Sequence, residues 1–565
     1  MVNKMRKISA ALMTAALFAG CSSSPKVDSD LELAQKSPHL AAIPSDTPYA
    51  FASLEPMPLG DMMEMMAKIG PEIDKVSDDF LAQLDANNAS MMERFIGAYL
   101  AEFRGKYNRA GLESLGFSMN PRVAAYGIGW LPAFRYEVGD AAAFKAMVDR
   151  IEKKAGITGT DAKVGEFAYR AYAAEDGVFA MAMQGKEVIF GFTPTETADI
   201  YLPYLLGAQK PAENLLQTKA LQGLVKKYDY KPYFLGFVDI ERVVQMLIAP
   251  QPGLNEDIAS RIDKNRTLDL SPACLSEFRG MASSYPRLVM GYDEWSKTGF
   301  SGRAGLEMTN GMGTKLAATK SNIPAATSAY SKDAVASFGL GVDMGKFMEF
   351  LTNEAANVRN APYQCDKLAE LNSSADQIGA GLMMASGMIS DVKGVNAILK
   401  SVNVGGESEE PTAPDGSYTA AVTDNFTGAV VVSAIDSTNL LNTLKMLVPD
   451  LASLVIKTDG TAVQVPAMPS LGMPPGNYFI AMTPTQIGIS AGQTAADDAT
   501  ELAKAAPSVT PWISLRYNPA LLMTAMGAAT GEYDELSGLF LGPIELDVVP
   551  NEAGVFFNFR QSFSE

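Results

Sequence analysis

Gly177–Asp199 (GVFAMAMQGKEVIFGFTPTETAD) and Gly476–Asp498 (GNYFIAMTPTQIGISAGQTAADD) align without a gap at an offset of 299 residues. They share the leading Gly, an Ala-Met pair, an apolar position at Val188 and Ile487, and a Thr-rich lead into a helical pattern. Each reads as a β-hairpin followed by a helix start, with the turn at Gln184-Gly185 in one and Thr483-Pro484 in the other. Self-similarity over this distance is the signature of a repeated structural unit.

The similarity extends outward from both hairpins. Upstream lie YEVGDAAAFKAMV with Asp140 and VSAIDSTNLLNTLKML with Asp436, placed 37 and 40 residues before the hairpin glycine. Downstream lie PYFLGFVDIERVVQML with Asp239 and PWISLRYNPALLMTAMG with Asn518, and a further copy, ASFGLGVDMGKFMEFL with Asp343, sits between the two sets. In each, an alternating strand ends at an Asp or Asn whose side-chain oxygen can accept from a free N–H in the first turn of the next helix. Such an N-cap contributes about 1 kcal/mol. After Asp343 the apolar residues Met344, Phe347, Met348 and Leu351 fall at helical spacing, so one stripe folds back onto the sheet. The recurrent Asp140, Asp239, Asp343, Asp436 and Asn518 are therefore structural caps, not catalytic groups.

The expected fold class is α+β: two related modules, each a mainly antiparallel sheet with helices packed on one face. Module one covers residues 47–325 and module two 326–565, the joint falling in the polar stretch TKSNIPAATSAYSKD. The pattern resembles a family of uncharacterised exported bacterial lipoproteins with duplicated strand-Asp-helix modules, a family that brings no established activity with it.

The N-terminus sets the expected location. Lys4, Arg6 and Lys7 precede an apolar run, Ile8–Phe18, of signal-peptide length and too short to span a bilayer. Ala19 and Gly20 then lead directly into Cys21. This resembles the lipobox of bacterial lipoproteins, which implies cleavage between Gly20 and Cys21, acylation of Cys21, and an effectively permanent lipid anchor. Ser22, instead of Asp, implies the outer membrane. Residues 1–20 are thus a signal peptide, and residues 21–46, polar and punctuated by Pro, read as a flexible tether.

Removing residues 1–20, with three basic and no acidic side chains, leaves 43 Lys and Arg against 64 Asp and Glu, a net charge of −21. Such a surface repels phosphate backbones, so no nucleic-acid partner is expected. With Cys21 acylated, Cys274 and Cys365 remain. In an oxidising compartment they read as one disulfide, the alternative being two buried thiols. Their separation, with the single histidine distant at His39, does not make a zinc site, and no metal or cofactor is expected.

A catalytic set is hard to assemble. The usual general base, histidine, occurs once and on the expected tether. Ser390-Asp-Val-Lys393 and Lys297-Thr298-Gly299 look like penicillin-binding-protein motifs, but stand in the wrong order with no S-D-N between them. Asp263-Lys-Asn265 opens like a calcium loop but lacks the glycine at position six and the closing Glu. Phosphate-binding glycine loops are absent.

Methionine is plentiful, with 30 residues clustered at Met62–Met66, Met91-Met92, around Met384 and around Met473. Core filling, an apolar binding surface and Cu(I) ligation all use this side chain. Met62, Met63, Met65 and Met66 surround a helix, so some are expected to meet a partner. The leading expectation is a non-enzymatic outer-membrane lipoprotein that binds or scaffolds in the cell envelope. The alternatives are a carrier or sensor of an apolar ligand in a Met-lined groove, and a hydrolase using paired carboxylates.

Overall fold

The computed structural model describes residues 37–83, 90–174, 176–248, 251–262, 270–402, 426–466, 476–509, 511–522 and 542–563. The protein is mixed α+β, built on antiparallel sheet. The chain divides into two compact units: Met1–Leu270 with Phe278–Ala304, and Ser271–Glu277 with Gly305–Glu565.

The strands of the first unit are β1 (Tyr49–Ala52), β2 (Val123–Ile128), β3 (Leu131–Glu137), β4 (Thr160–Val164), β5 (Phe167–Ala174), β6 (Gly177–Gln184), β7 (Glu187–Pro194), β8 (Leu235–Asp239) and β9 (Arg287–Ser296). The tenth, β10 (Gly299–Glu307), runs across the boundary between the units. They pair in the order β4-β5-β6-β7-β3-β2-β1-β8-β9-β10, antiparallel from β4 through β9. The first strand therefore sits in the middle of the sheet.

In the second unit a small ribbon joins β11 (Asn322–Ile323) to β18 (Ser508–Val509). The sheet strands are β12 (Ala336–Leu340), β13 (Val392–Val402), β14 (Phe426–Ala434), β15 (Val463–Val465), β16 (Tyr478–Thr483), β17 (Gln486–Ala491), β19 (Ile513–Tyr517), β20 (Ile544–Asn551) and β21 (Gly554–Ser562). Their order is β15-β16-β17-β14-β13-β12-β19-β20-β21, again antiparallel throughout. From β5 to β10 and from β15 to β21 the sequence of pairings is the same. Local geometry repeats as well: Val138 N–H donates to Lys186 O at 2.8 Å, and Ala434 N–H to Thr485 O at 2.9 Å. The hairpin turns are centred on Gly185-Lys186 and Pro484-Thr485, one residue later than the sequence suggests. Gly185 takes φ +63°, which a two-residue turn asks of glycine.

Residues directly opposite in the pairing register share a face. On one face of the first sheet, Ala50, Ala124, Tyr126, Ala133, Ala180 and Ile189 are fully buried or nearly so. The helix Ala198–Leu206 lies there: a Cβ on Gly191 would meet Tyr201 Oη at 2.0 Å, and Tyr201 donates to Pro132 O. In the second unit Gly191 corresponds to Ser490, and two residues earlier on the same face a Cβ on Gly488 would lie 2.8 Å from Ala499 O, with Ala495, Ala499, Leu502 and Ala503 buried along the helix Ala495–Lys504. Helices also lie against the opposite faces. Arg170 of β5 binds Asp149 and Glu152 of the helix Ala141–Ala155, while Leu440 and Leu441 of the helix Ser437–Leu447 pack on Ile480, Met482 and Ile487. Helices therefore meet both faces, where the sequence pattern placed them on one.

The expected tether ends earlier than residue 46. Pro38–Ala42 form a 3₁₀ turn with Leu40 and Ile43 at 0% exposure, and Leu215 N–H donates to Ile43 O. The apolar pair Leu40 and Ile43 supplies enough buried surface to hold a segment that its prolines and polar residues suggested was free. The boundary between the compact units likewise falls at 304/305, with residues 271–277 assigned to the second, instead of at 325/326. Residues 1–36, including Gly20 and Cys21, lie outside the described residues. No helix among those described is long and apolar enough to cross a membrane.

Candidate functional site

The recurrent acids stand at helix starts. Asp140 Oδ1 accepts from Ala142 N at 2.8 Å and Ala143 N at 3.0 Å, and Asp436 Oδ1 from Thr438 N at 2.8 Å and Asn439 N at 3.3 Å. Asp239, Asp343 and Asn518 each accept from the N–H three residues on, at 2.9, 3.1 and 3.3 Å. Asp343 is also buried and pairs with Lys393 Nζ at 2.7 Å, an ion pair the sequence pattern did not suggest. Cys274 and Cys365, both in the second unit, form a disulfide.

The chemical motifs dissolve in the same way. Lys393 of the Ser390-x-x-Lys393 match is held by Asp343, and Lys297 of the Lys-Thr-Gly match is an exposed residue 3.7 Å from Glu64. The calcium-like stretch beginning at Asp263 lies outside the described residues. His39 is buried, not carried on a tether: its Nε2 lies 2.9 Å from Ser53 O, and Nδ1 has no partner among the described residues. Burial pulls its pKa down to about 4 against the single stabilising bond to Ser53, and Arg122 and Arg135 add repulsion. A neutral, enclosed imidazole of this kind is a packing element. Met62, Met63 and Met66 are buried and Met65 half-buried, so most of this cluster is core filling.

What remains conspicuous is the less covered sheet face. In the second unit one row of directly opposed residues crosses the sheet: Ile489, Val430, Ala397, Phe338, Leu515, Leu546 and Phe559. Phe338 is 48% exposed, and Val430, Leu515 and Leu546 are 40–44% exposed. The flanking rows on this face, with Leu340, Val395, Ile513 and Val548 on one side and Ala336, Leu399, Tyr517 and Ile544 on the other, carry no charge. Phe557, opposite Val548, is 56% exposed. Arg516, Glu545, Asp547 and Arg560 alternate onto the other face. At ordinary strand and residue spacings this open apolar field measures roughly 24 by 14 Å. The corresponding row of the first unit, Met181, Phe190, Phe134, Ala125, Phe51 and Met290, is half-buried, with Phe134 and Phe190 stacked at 4.9 Å. The face was readable in principle, since every strand that forms it alternates with apolar residues at the same parity. Which parity stays open depends on where the helices settle.

Comparison of the chain with protein-family models, with curated proteins and with solved structures finds no match in any of the three.

Proposed function

We propose that this protein is a lipid-anchored component of the bacterial cell envelope, held through Cys21, that binds an elongated aliphatic molecule of the lipid class and performs no chemistry on it. The observation that carries the reading is the uncharged field centred on Phe338, Leu515 and Leu546 in the second unit. Large exposed apolar patches on a protein surface mark binding sites, and one without charged side chains selects an aliphatic occupant over an ionic one. The anchor rests on the run from Lys4 to Cys21 and its lipobox resemblance. With Ser37 already packed, the sixteen residue steps from Cys21 hold the body within about 55 Å of the bilayer surface. The buried His39 and the capping roles of the recurrent acids favour binding over catalysis.

The test uses protein carrying Cys21→Ser, which cannot take up acyl chains of its own. Native mass spectrometry after detergent-free purification should reveal a co-purifying aliphatic molecule, and Phe338→Glu with Leu515→Glu should release it without unfolding the chain. A clean apo mass that stays unchanged on adding fatty acid would refute the binding half. Recovery of the unaltered protein with an unacylated first residue would refute the anchor.

A further inference from the structure

A cleft of about 450 Å³ opens in the second unit beside the hairpin turn at Pro484-Thr485 and the C-terminal end of the helix Ala495–Lys504. Its polar lining includes Lys393, Lys504, Asn322, Ser433, Thr485 and Gln486, and among the described residues no carboxylate lines it. In a chain of formal net charge −18, a cleft lined by two lysines stands out; Asp343 neutralises Lys393, so the unbalanced charge is that of the exposed Lys504.

The first unit shows how the corresponding place is otherwise filled. The matching bonds from Val138 to Lys186 and from Ala434 to Thr485 set Ser433 against Glu137 and Gln486 against Glu187. There, Glu137 is bound by Arg122 at 2.8 Å and Glu187 by Arg135 at 2.6 Å, and Arg135 also donates to Leu205 O. Both carboxylates are replaced by neutral groups in the second unit, and the position of Arg135 is taken by the buried Val431. The offset that aligns the hairpins sets Lys504 against the buried Leu205. Lys504 has no ion pair among the described residues, whereas Lys393 has Asp343.

A helix C-terminus normally repels anions, but here its carbonyls are occupied. Gln486 Nε2 donates to Leu502 O at 2.5 Å and Ala505 O at 3.2 Å, and Thr483 donates to Ala503 O at 3.2 Å. We propose that the cleft binds a small phosphate-bearing molecule, with Lys504 as its principal charge and the Thr485 hydroxyl as a donor. Lysine serves phosphate as a mobile point charge with three donors, and the volume suits a small phosphoester.

The site is tested on the full chain carrying Cys21→Ser, so that no acyl anchor inserts into lipid, by thermal unfolding and calorimetric titration with inorganic phosphate, glycerol 3-phosphate, phosphatidylglycerol vesicles and acetate at matched ionic strength. Phosphate or its ester raises the melting temperature by mass action, and acetate does not. Lys504→Gln lowers the affinity about tenfold or more, the effect of losing one charged hydrogen bond, and Thr485→Val weakens it less, while the exposed Lys153→Gln leaves it unchanged. Tighter binding of glycerol 3-phosphate or vesicles than of free phosphate assigns the ester or headgroup as the source, and the reverse order assigns the free ion. No response to any phosphate species at millimolar concentration, or an equal response in Lys504→Gln and the unaltered chain, would overturn the proposal. Circular dichroism of each variant separates lost binding from lost folding.

Discussion

Lowering the pH from 7 to 5 should destabilise the first unit through one residue. His39 is neutral in the folded state, its pKa held down to about 4 by burial, against 6.5 for the free side chain. Below 6.5 the unfolded chain takes up a proton that the folded chain refuses. The stability is therefore complete above that value, falls as the pH drops through the window, and flattens near 4. The two values give a loss of roughly 2 kcal/mol at pH 5 and about 3 kcal/mol at pH 4. Carboxylates also begin to titrate there, so the measurement is a difference: denaturant unfolding of the unaltered protein and of His39→Phe at pH 7 and pH 5. The variant loses the bond to Ser53 O and is weaker at pH 7, but its pH slope should be shallower by the amount stated. Because the chain has one histidine, its ring resonance in the folded protein needs no assignment and should titrate near 4. A midpoint near 6.5, or identical slopes in the two proteins, would refute the reasoning.

Reduction of the Cys274–Cys365 bridge, or Cys274→Ser with Cys365→Ser, should cost the second unit about 2–5 kcal/mol, seen as a lower denaturation midpoint. Asp140→Ala and Asp436→Ala should each cost about 1 kcal/mol, by nearly equal amounts because the two caps share one geometry. Asp343→Ala should cost more, about 2–4 kcal/mol, since it also strands Lys393, and Lys393→Met in the same background should recover part of the loss. Gly191→Ala should destabilise by about 2 kcal/mol or more through the clash with Tyr201, with partial rescue by Tyr201→Phe in thermal melts.

The hairpins were legible because period-2 alternation, a two-residue turn and a following helix start all coincide at Gly177 and again at Gly476. The acids at helix starts were legible because capping is local: Asp436 needs only the two or three residues that follow it. Pairings between distant strands left no such trace. Nothing in Tyr49–Ala52 announces that it lies between β2 and β8, since register between remote segments is chosen by packing of whole faces. Leu40 and Ile43 were overlooked because two apolar residues among prolines do not form a period. The apolar field on β12, β19 and β20 was present as alternation in each strand, but an alternating strand does not say which of its two sides will be left without a helix. The cleft beside Lys504 was invisible because Asn322, Lys393, Ser433, Thr485 and Lys504 are drawn from separate parts of the chain.

The central position of β1 has a consequence for how the chain matures. Tyr49–Ala52 is synthesised early but acquires its second neighbour only when Leu235–Asp239 has been delivered, and Ala336–Leu340 waits in the same manner for Ile513–Tyr517. Closing loops of this span makes assembly slow, and until it happens each half-sheet presents a bare edge to which other chains can add. A chaperone that shields unpaired strands during delivery would therefore raise the yield of this protein more than one that accelerates local helix formation.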